Sequence, residues 1–100
     1  MNKKNIVDII KKLTEKIITS HAPEKIILFG SFASKDFHKD SDIDLLIIKK
    51  SQLPRRQRNL EIRKSIRGIT KIPKDIIVYT PDEIKEWKNV EAAFITKIIK

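Results

Sequence analysis

The sequence predicts a small α/β (α+β) domain in which helices pack on one mixed β-sheet. Two observations support this class. Three short apolar runs, each bounded by polar or turn-forming residues, have the length of buried strands. Segments with apolar residues at helical spacing alternate with these runs, as expected of a sheet covered by helices. At 100 residues, the chain is expected to form a single domain over 1–100.

The first half of the chain supplies a helix and two strands. The isoleucines and leucine of residues 6–17 recur at helical spacing, which predicts an amphipathic helix from about Asn5 to Ser20. The apolar run Lys25–Phe29 predicts the first strand. The second strand is predicted over Asp42–Ile48, after a polar stretch from Ser31 to Ser41.

The second half is predicted to form helices around a third strand. Pro54 opens a basic helix that runs to about Arg67 and stops at Gly68. The third strand is predicted over Asp75–Tyr79. The run Thr80-Pro81-Asp82-Glu83 combines an N-cap, a first-turn proline and a capping-box glutamate, which predicts another helix start. A last helical stretch is predicted to carry Val90, Phe94 and Ile98.

Composition excludes several classes of protein. The chain has no cysteine, which excludes disulfides and thiolate metal sites. It has no apolar run of membrane-spanning length and no signal-peptide pattern, so a cytoplasmic location is expected. The net charge of +9 is concentrated in Lys49–Lys74, which holds ten basic residues and one acid, Glu61. This segment is therefore available to steer a polyanion or an acidic partner.

Gly30-Ser31 follows the first strand directly, where α/β folds place ligands. Glycine permits an unusual backbone conformation and lets a phosphate approach closely. A short helix beginning at Ser31 would also present free N–H groups to an anion. The alternative is an ordinary strand-to-helix turn.

Acidic residues begin the second and third predicted strands. Residues i and i+2 of a strand face the same way, so Asp42 and Asp44 project to one side and Ile43 projects to the other. A divalent cation would relieve the repulsion between the two carboxylates, and oxygen ligands suit Mg²⁺ or Mn²⁺. Asp75 could complete a group of three. Alternatively, Asp42 caps a turn, Asp44 lies on an exposed strand face and Asp75 is an ordinary strand-edge charge.

Two motifs together resemble a known family. Leu28-Phe29-Gly30-Ser31-Phe32-Ala33, followed after the loop by Asp42-Ile43-Asp44-Leu45, is similar to the signature of DNA polymerase β-type nucleotidyltransferases. Within that superfamily, the motif residues most resemble those of the minimal nucleotidyltransferase (MNT) family. The resemblance covers most of the chain, from the first helix through the third strand.

The resemblance implies a fold, a site and an activity. The fold would be polymerase β-like, with Gly30 and Ser31 on the nucleotide phosphates and Asp42, Asp44 and Asp75 as catalytic and metal-binding residues. Two Mg²⁺ ions, with Mn²⁺ as the alternative, and ATP as substrate would be expected. MNT proteins transfer AMP to a tyrosine of a helical HEPN-type ribonuclease toxin. The resemblance therefore also implies an antitoxin of a toxin–antitoxin pair.

The chain departs from the family pattern after the glycine turn. It has Ser34-Lys35 where the family usually has a basic residue and then glycine. Lys35 keeps a basic group near the turn and is a candidate nucleotide contact. His38 and Lys39 lie in the same loop and are interpreted mainly as solvated residues. His21 is interpreted as a helix-end residue, and Trp87 as a core or partner contact rather than a base-stacking platform.

Two other functions remain open at this point. One is a non-catalytic antitoxin that neutralises its partner by contact. The other is an RNA-directed nucleotidyltransferase, which the basic segment favours. The absence of aromatic residues within Arg55-Arg56-Gln57-Arg58 argues against a base-stacking RNA surface there.

Overall fold

The computed structural model describes residues 3–33, 40–87 and 97–99, and it contains three helices and four strands in that part of the chain. In chain order, they are α1 Lys3–His21, β1 Lys25–Phe29, β2 Ile43–Ile48, α2 Arg55–Ser65, β3 Lys74–Tyr79, α3 Pro81–Trp87 and β4 Lys97–Ile99. The strands form one sheet in the order β3-β2-β1-β4.

The sheet is mixed, as the sequence predicts. β2 pairs parallel with β3 and antiparallel with β1, and β1 pairs antiparallel with β4. The register aligns Asp44 of β2 with Phe29 of β1 on one side and with Asp75 of β3 on the other. Residues that are far apart in sequence thus meet at one end of the central strand.

The central strand is buried on both faces, which explains its unbroken apolar run. Ile43, Leu45 and Ile47 pack with apolar residues of α1 and α2 in the larger core cluster. Leu46 and Ile48 face the opposite way and pack with Ile27 and Tyr79 in a smaller cluster. This alternation places Asp44 on the face away from α1 and α2.

The prediction that the last helical stretch includes Ile98 is wrong. Ile98 lies in β4 and pairs with Ile27 of β1, whereas Val90 and Phe94 lie outside the described residues. A pair of isoleucines fits a strand as well as a helix, so the pairing with β1, which local sequence does not encode, decides the outcome. The other boundaries agree with the prediction to within a few residues, which is the usual scatter of element ends.

The capping box predicted at Thr80–Glu83 is present. The Thr80 backbone N–H donates to Glu83 Oε1 at 2.8 Å, and the Glu83 N–H donates to Thr80 Oγ1 at 3.3 Å. Glu83 Oε1 also accepts from Arg58 Nη1 of α2 at 2.8 Å. One carboxylate therefore fixes the start of α3 and joins it to α2.

Side chains of α2 cover the outer edge of β3. Asn59 Oδ1 accepts from the Val78 N–H at 2.9 Å, and Arg58 Nη1 donates to the Val78 carbonyl at 3.1 Å. Arg63 Nη1 donates to the Lys74 carbonyl at 3.4 Å. Three backbone groups that point away from β2 are thus hydrogen-bonded by side chains of α2.

None of the helices in the described part of the chain has both the length and the apolar character needed to cross a bilayer.

Candidate active site

The acidic residues of β2 and β3 meet on one face of the sheet. Ile43 is fully buried in the core under α1 and α2, so Asp44, the next residue, projects from the opposite face. Asp75 is its partner across the parallel pair. Asp42 is exposed and lies just before β2, on the chain that leads into this end of the sheet. The predicted orientation of Ile43 toward the core is therefore confirmed.

Gly30 lies at the end of β1, next to Asp44. Its φ angle is +74°, a conformation that favours glycine, and its carbonyl accepts from the Ala33 N–H at 3.1 Å to close a turn. A Cβ at this position would collide with the Asp44 carboxylate, whose Cγ would lie only 3.0 Å away. The unusual backbone is as predicted. The Asp44 carboxylate lies in the space left by the missing side chain, and the phosphate-binding role of Gly30 stays a prediction.

Asp44 experiences an unfavourable electrostatic environment as a carboxylate. Burial, the charge of Asp75 and then the charge of Asp42 raise the pKa of Asp44 above its ordinary value. The two flanking acids are thus close enough to act on it. A group that binds or cancels negative charge at this place would stabilise the ionised form.

Asp75 has a cationic neighbour that the sequence does not reveal. Arg63 Nη2 of α2 lies 3.8 Å from Asp75 Oδ1, and about half of each side chain is exposed. Such a pair contributes little to stability. It does place a guanidinium group beside the acidic face, and no local pattern could have found it because the contact depends on how α2 crosses β3.

The acidic residues fit a divalent cation by their chemistry. Their oxygen ligands are those that Mg²⁺ prefers, and burial together with the charges of Asp75 and Asp42 raises the pKa of Asp44. Among the side chains that the structure describes, no three His, Cys, Asp or Glu residues already lie close enough together to bind one metal ion. The metal-binding roles of Asp42, Asp44 and Asp75 therefore stay predictions.

Several candidates fall outside this geometry. Lys35, His38 and Lys39 lie outside the described residues, and so does the side chain of Trp87. Ser31 is half-buried in the turn after Gly30, and its phosphate-binding role stays a prediction.

His21 is the last residue of α1, as interpreted from the sequence. Burial and the nearby Lys49 lower the pKa of His21, which disfavours the charged imidazole there. Lys49 follows the C-terminal end of β2, whereas Asp44 lies near the start of that strand. His21 therefore has no part in the acidic face.

The glycine turn that ends β1 packs against the carboxylate of Asp44, and Asp75 lies beside Asp44 on the neighbouring strand. The turn provides backbone close to the acids, and the acids provide oxygen ligands where negative charge would collect. This combination favours an enzyme that transfers phosphate-containing groups.

Comparison with known proteins gives the family. The sequence model described as "Nucleotidyltransferase domain" matches residues 4–100. The chain belongs to this family, and it is a nucleotidyltransferase. The resemblance seen in the Gly30-Ser31 and Asp42-Ile43-Asp44 motifs is confirmed, and so is the polymerase β-like fold class.

One relative spans nearly the whole chain. A protein of Methanocaldococcus jannaschii, named a "putative protein adenylyltransferase", is 30% identical over 95 residues, which cover 93% of this chain and 91% of the relative. The match therefore includes both motifs and the segment between them.

Proposed function

We propose that this protein is a Mg²⁺-dependent protein adenylyltransferase that transfers AMP from ATP to a hydroxyl group of a partner protein. The observation that carries the proposal is the packing of the Asp44 carboxylate on Gly30, with Asp75 beside it across the parallel strands. The name of the archaeal relative supports a protein as the acceptor and AMP as the transferred group.

The reaction is an in-line displacement at the α-phosphorus of ATP. The acceptor hydroxyl oxygen forms a bond to that phosphorus while the bond to the oxygen bridging the α- and β-phosphates breaks. Pyrophosphate leaves with the electron pair, and the hydroxyl proton passes to a carboxylate. We assign that proton to Asp75, because its side chain is 57% exposed and thus reachable by an acceptor entering from solvent.

The remaining residues position the nucleotide. The turn from Gly30 to Ala33 fixes the backbone beside Asp44, and Ser31 within it is the candidate phosphate contact. Asp42 and Asp44, together with Asp75, would hold the metal. Bound Mg²⁺ would neutralise triphosphate charge and activate the hydroxyl. Holding the reacting groups in line supplies much of the remaining acceleration.

The acceptor we propose is a tyrosine of a HEPN-type helical toxin, which makes this protein the antitoxin of a pair. This part of the proposal comes from the resemblance of the two motifs to the MNT family. It agrees with the protein acceptor in the name of the archaeal relative.

The test is transfer of label from ATP to a purified HEPN-type protein, which is sought first in the neighbouring reading frames. ATP labelled at the α-phosphate should label that protein in the presence of MgCl₂, whereas ATP labelled at the γ-phosphate should not. The double variant Asp42→Asn, Asp44→Asn should lose the labelling. Asp8→Asn, which removes an exposed carboxylate on α1, is the matched control and should retain it.

A double variant that still transfers AMP would overturn the assignment of the acids. Labelling by the γ-phosphate would identify a phosphotransferase instead. A partner that is neutralised equally by the wild type and the double variant, with no label on it, would identify a non-catalytic antitoxin.

A further inference from the structure

The exposed face of α2 carries a row of basic residues with one leucine among them. Arg56, Leu60, Arg63 and Lys64 are all exposed, and their spacing of three to four residues puts them on one side of the helix. We call these four residues the α2 stripe. They lie within the segment that carries the whole net charge of the protein.

Other basic residues of that segment are used inside the fold. Arg58 is bound to Glu83 and to the Val78 carbonyl, and Arg55 lies over the Tyr79 ring at 4.7 Å from its centroid. Lys74 Nζ donates to the carbonyls of Thr70 and Ile72. These residues have structural roles, so they explain only part of the positive charge.

The stripe keeps most of its charge unneutralised. Within the described part of the chain, Arg56 and Lys64 take part in no ion pair. Glu61, the acid between them in sequence, accepts from Gln57 Nε2 at 3.1 Å. Exposed like charges on one helix face repel each other, which is unfavourable for the isolated protein and favours an acidic binding partner.

The stripe also reaches the candidate active site. Arg63 Nη2 lies 3.8 Å from Asp75 Oδ1, so one end of the stripe reaches the edge of the sheet beside one of the three acidic residues. An open groove runs beside it and is lined by Pro54, Arg56, Gln57, Asn59, Leu60 and Arg63. Leu60 gives this groove an apolar contact between two cationic ones.

We infer that the α2 stripe is the docking surface for an acidic segment of the acceptor protein. This inference rests on the proposed function and adds the chemistry by which the acceptor is recognised. Carboxylates of the acceptor would pair with Arg56 and Lys64 while an apolar side chain packs on Leu60. The stripe has no aromatic residue on which bases would stack, so it suits a protein better than a single-stranded RNA.

The experiment measures binding without catalysis. Two fluorescent synthetic peptides are compared by anisotropy in the absence of ATP. One has a leucine and a tyrosine among glutamates, and the other has glutamine in place of every glutamate. The wild-type protein should bind the acidic peptide about tenfold more tightly than the neutral one at low salt, and this preference should shrink as salt is raised.

A pair of charge-reversed variants tests the location. Arg56→Glu with Lys64→Glu should weaken binding of the acidic peptide about tenfold or more. Lys12→Glu with Lys16→Glu makes the same change in net charge on the exposed face of α1 and should change it less than about twofold. The fold should survive the first change, because an acid in the first turn of α2 is favourable and offsets an unfavourable acid in the last turn.

Three results would overturn the inference. These are an equal loss of binding in both double variants, no preference for the acidic peptide, or tighter binding of an oligouridine than of the acidic peptide. Because no ATP is present, failure of AMP transfer does not affect this test. A protein that transfers AMP and yet ignores the acidic peptide would retain its proposed function and lose only its proposed docking surface.

Discussion

Gly30 meets two separate requirements at one position. Its φ angle of +74° disfavours any residue with a side chain, and the Asp44 carboxylate occupies the place of a Cβ. Gly68 has a similar φ angle of +87° but no atom within 4 Å of the place of its Cβ. A side chain at Gly68 would therefore meet backbone strain alone, whereas one at Gly30 would meet both strain and a steric collision.

Gly30→Ala should destabilise the protein more than Gly68→Ala does. Backbone strain alone should cost about 1–2 kcal/mol at Gly68, and the collision at Gly30 should bring the total there to about 3 kcal/mol or more. Urea unfolding of both variants measures the difference. Equal losses would show that the Asp44 side chain moves aside at no cost.

Asp44 should be a residue whose removal harms activity and spares stability. Its raised pKa means that the folded protein disfavours the ionised form, so at neutral pH the charge opposes folding and stability rises as pH falls through that pKa. The free energy of unfolding of Asp44→Asn, measured in EDTA, should therefore be at least equal to that of the wild type. AMP transfer should fall at least about 100-fold.

The control for this prediction is Asp8→Asn, which removes an exposed charge on α1. It should change neither the free energy of unfolding nor the rate of transfer. A clear loss of stability in Asp44→Asn would mean that the carboxylate has a structural role.

Sequence reasoning predicts the acidic residues better than their surroundings. Asp42, Asp44 and Gly30 stand in local motifs, and the i, i+2 rule gives the direction of Asp44 without a structure. The contact of Asp44 with Gly30 depends on the register of two antiparallel strands. The contact of Arg63 with Asp75 depends on the path of a helix over an edge strand. Neither is encoded within a few residues.

At the scale of elements, Glu83 links α3 to α2 and β3. Its hydrogen bond and ion pair with Arg58, together with the Thr80 N–H, lower the pKa of Glu83 from 4.5 to about 2. A lowered pKa means that the carboxylate stabilises the fold when ionised. This contribution is complete above about pH 4.5 and is lost as the pH falls to about 2.

Glu83→Gln should therefore destabilise the protein in a pH-dependent way. At pH 7 the loss should be about 1.5–3 kcal/mol, the range for hydrogen bonds to charged groups. The difference from the wild type should shrink as the pH is lowered toward 2. Urea unfolding at several pH values measures it, with Glu15→Gln, at an exposed position of α1, as the control. A difference that stays constant with pH would contradict the role of the ionised carboxylate.

The elements show where local signals suffice. The capping box at Thr80 and the proline before α2 are local, and both helix starts lie where they predict. β4 is different, because its three residues are held in the sheet by pairing with β1 from the other end of the chain. Strand pairing over such a distance leaves no periodic trace in three residues.

For the whole molecule, stability depends on a core formed by both faces of β2. Leu45 of β2 is fully buried against α1 and α2, whereas Leu60 of α2 is 42% exposed. Leu45→Ala should cost about 2–5 kcal/mol, a large part of the stability of a domain this size. Leu60→Ala should change it by less than about 0.5 kcal/mol. Urea unfolding compares the two truncations, and similar losses would contradict the core assigned here.

The coverage of the β3 edge by α2 has a consequence for how the protein behaves at high concentration. The unpaired N–H and carbonyl groups of an open edge strand can pair with an edge strand of another molecule, which leads to fibrous aggregates. Here the N–H and carbonyl of Val78 and the carbonyl of Lys74 are already bound by Asn59, Arg58 and Arg63. A chain so rich in isoleucine would otherwise be at risk of growing sheets between molecules. Arg58, Arg63 and Asn59 therefore disfavour pairing between molecules at the β3 edge, while the outer side of the same helix faces solvent.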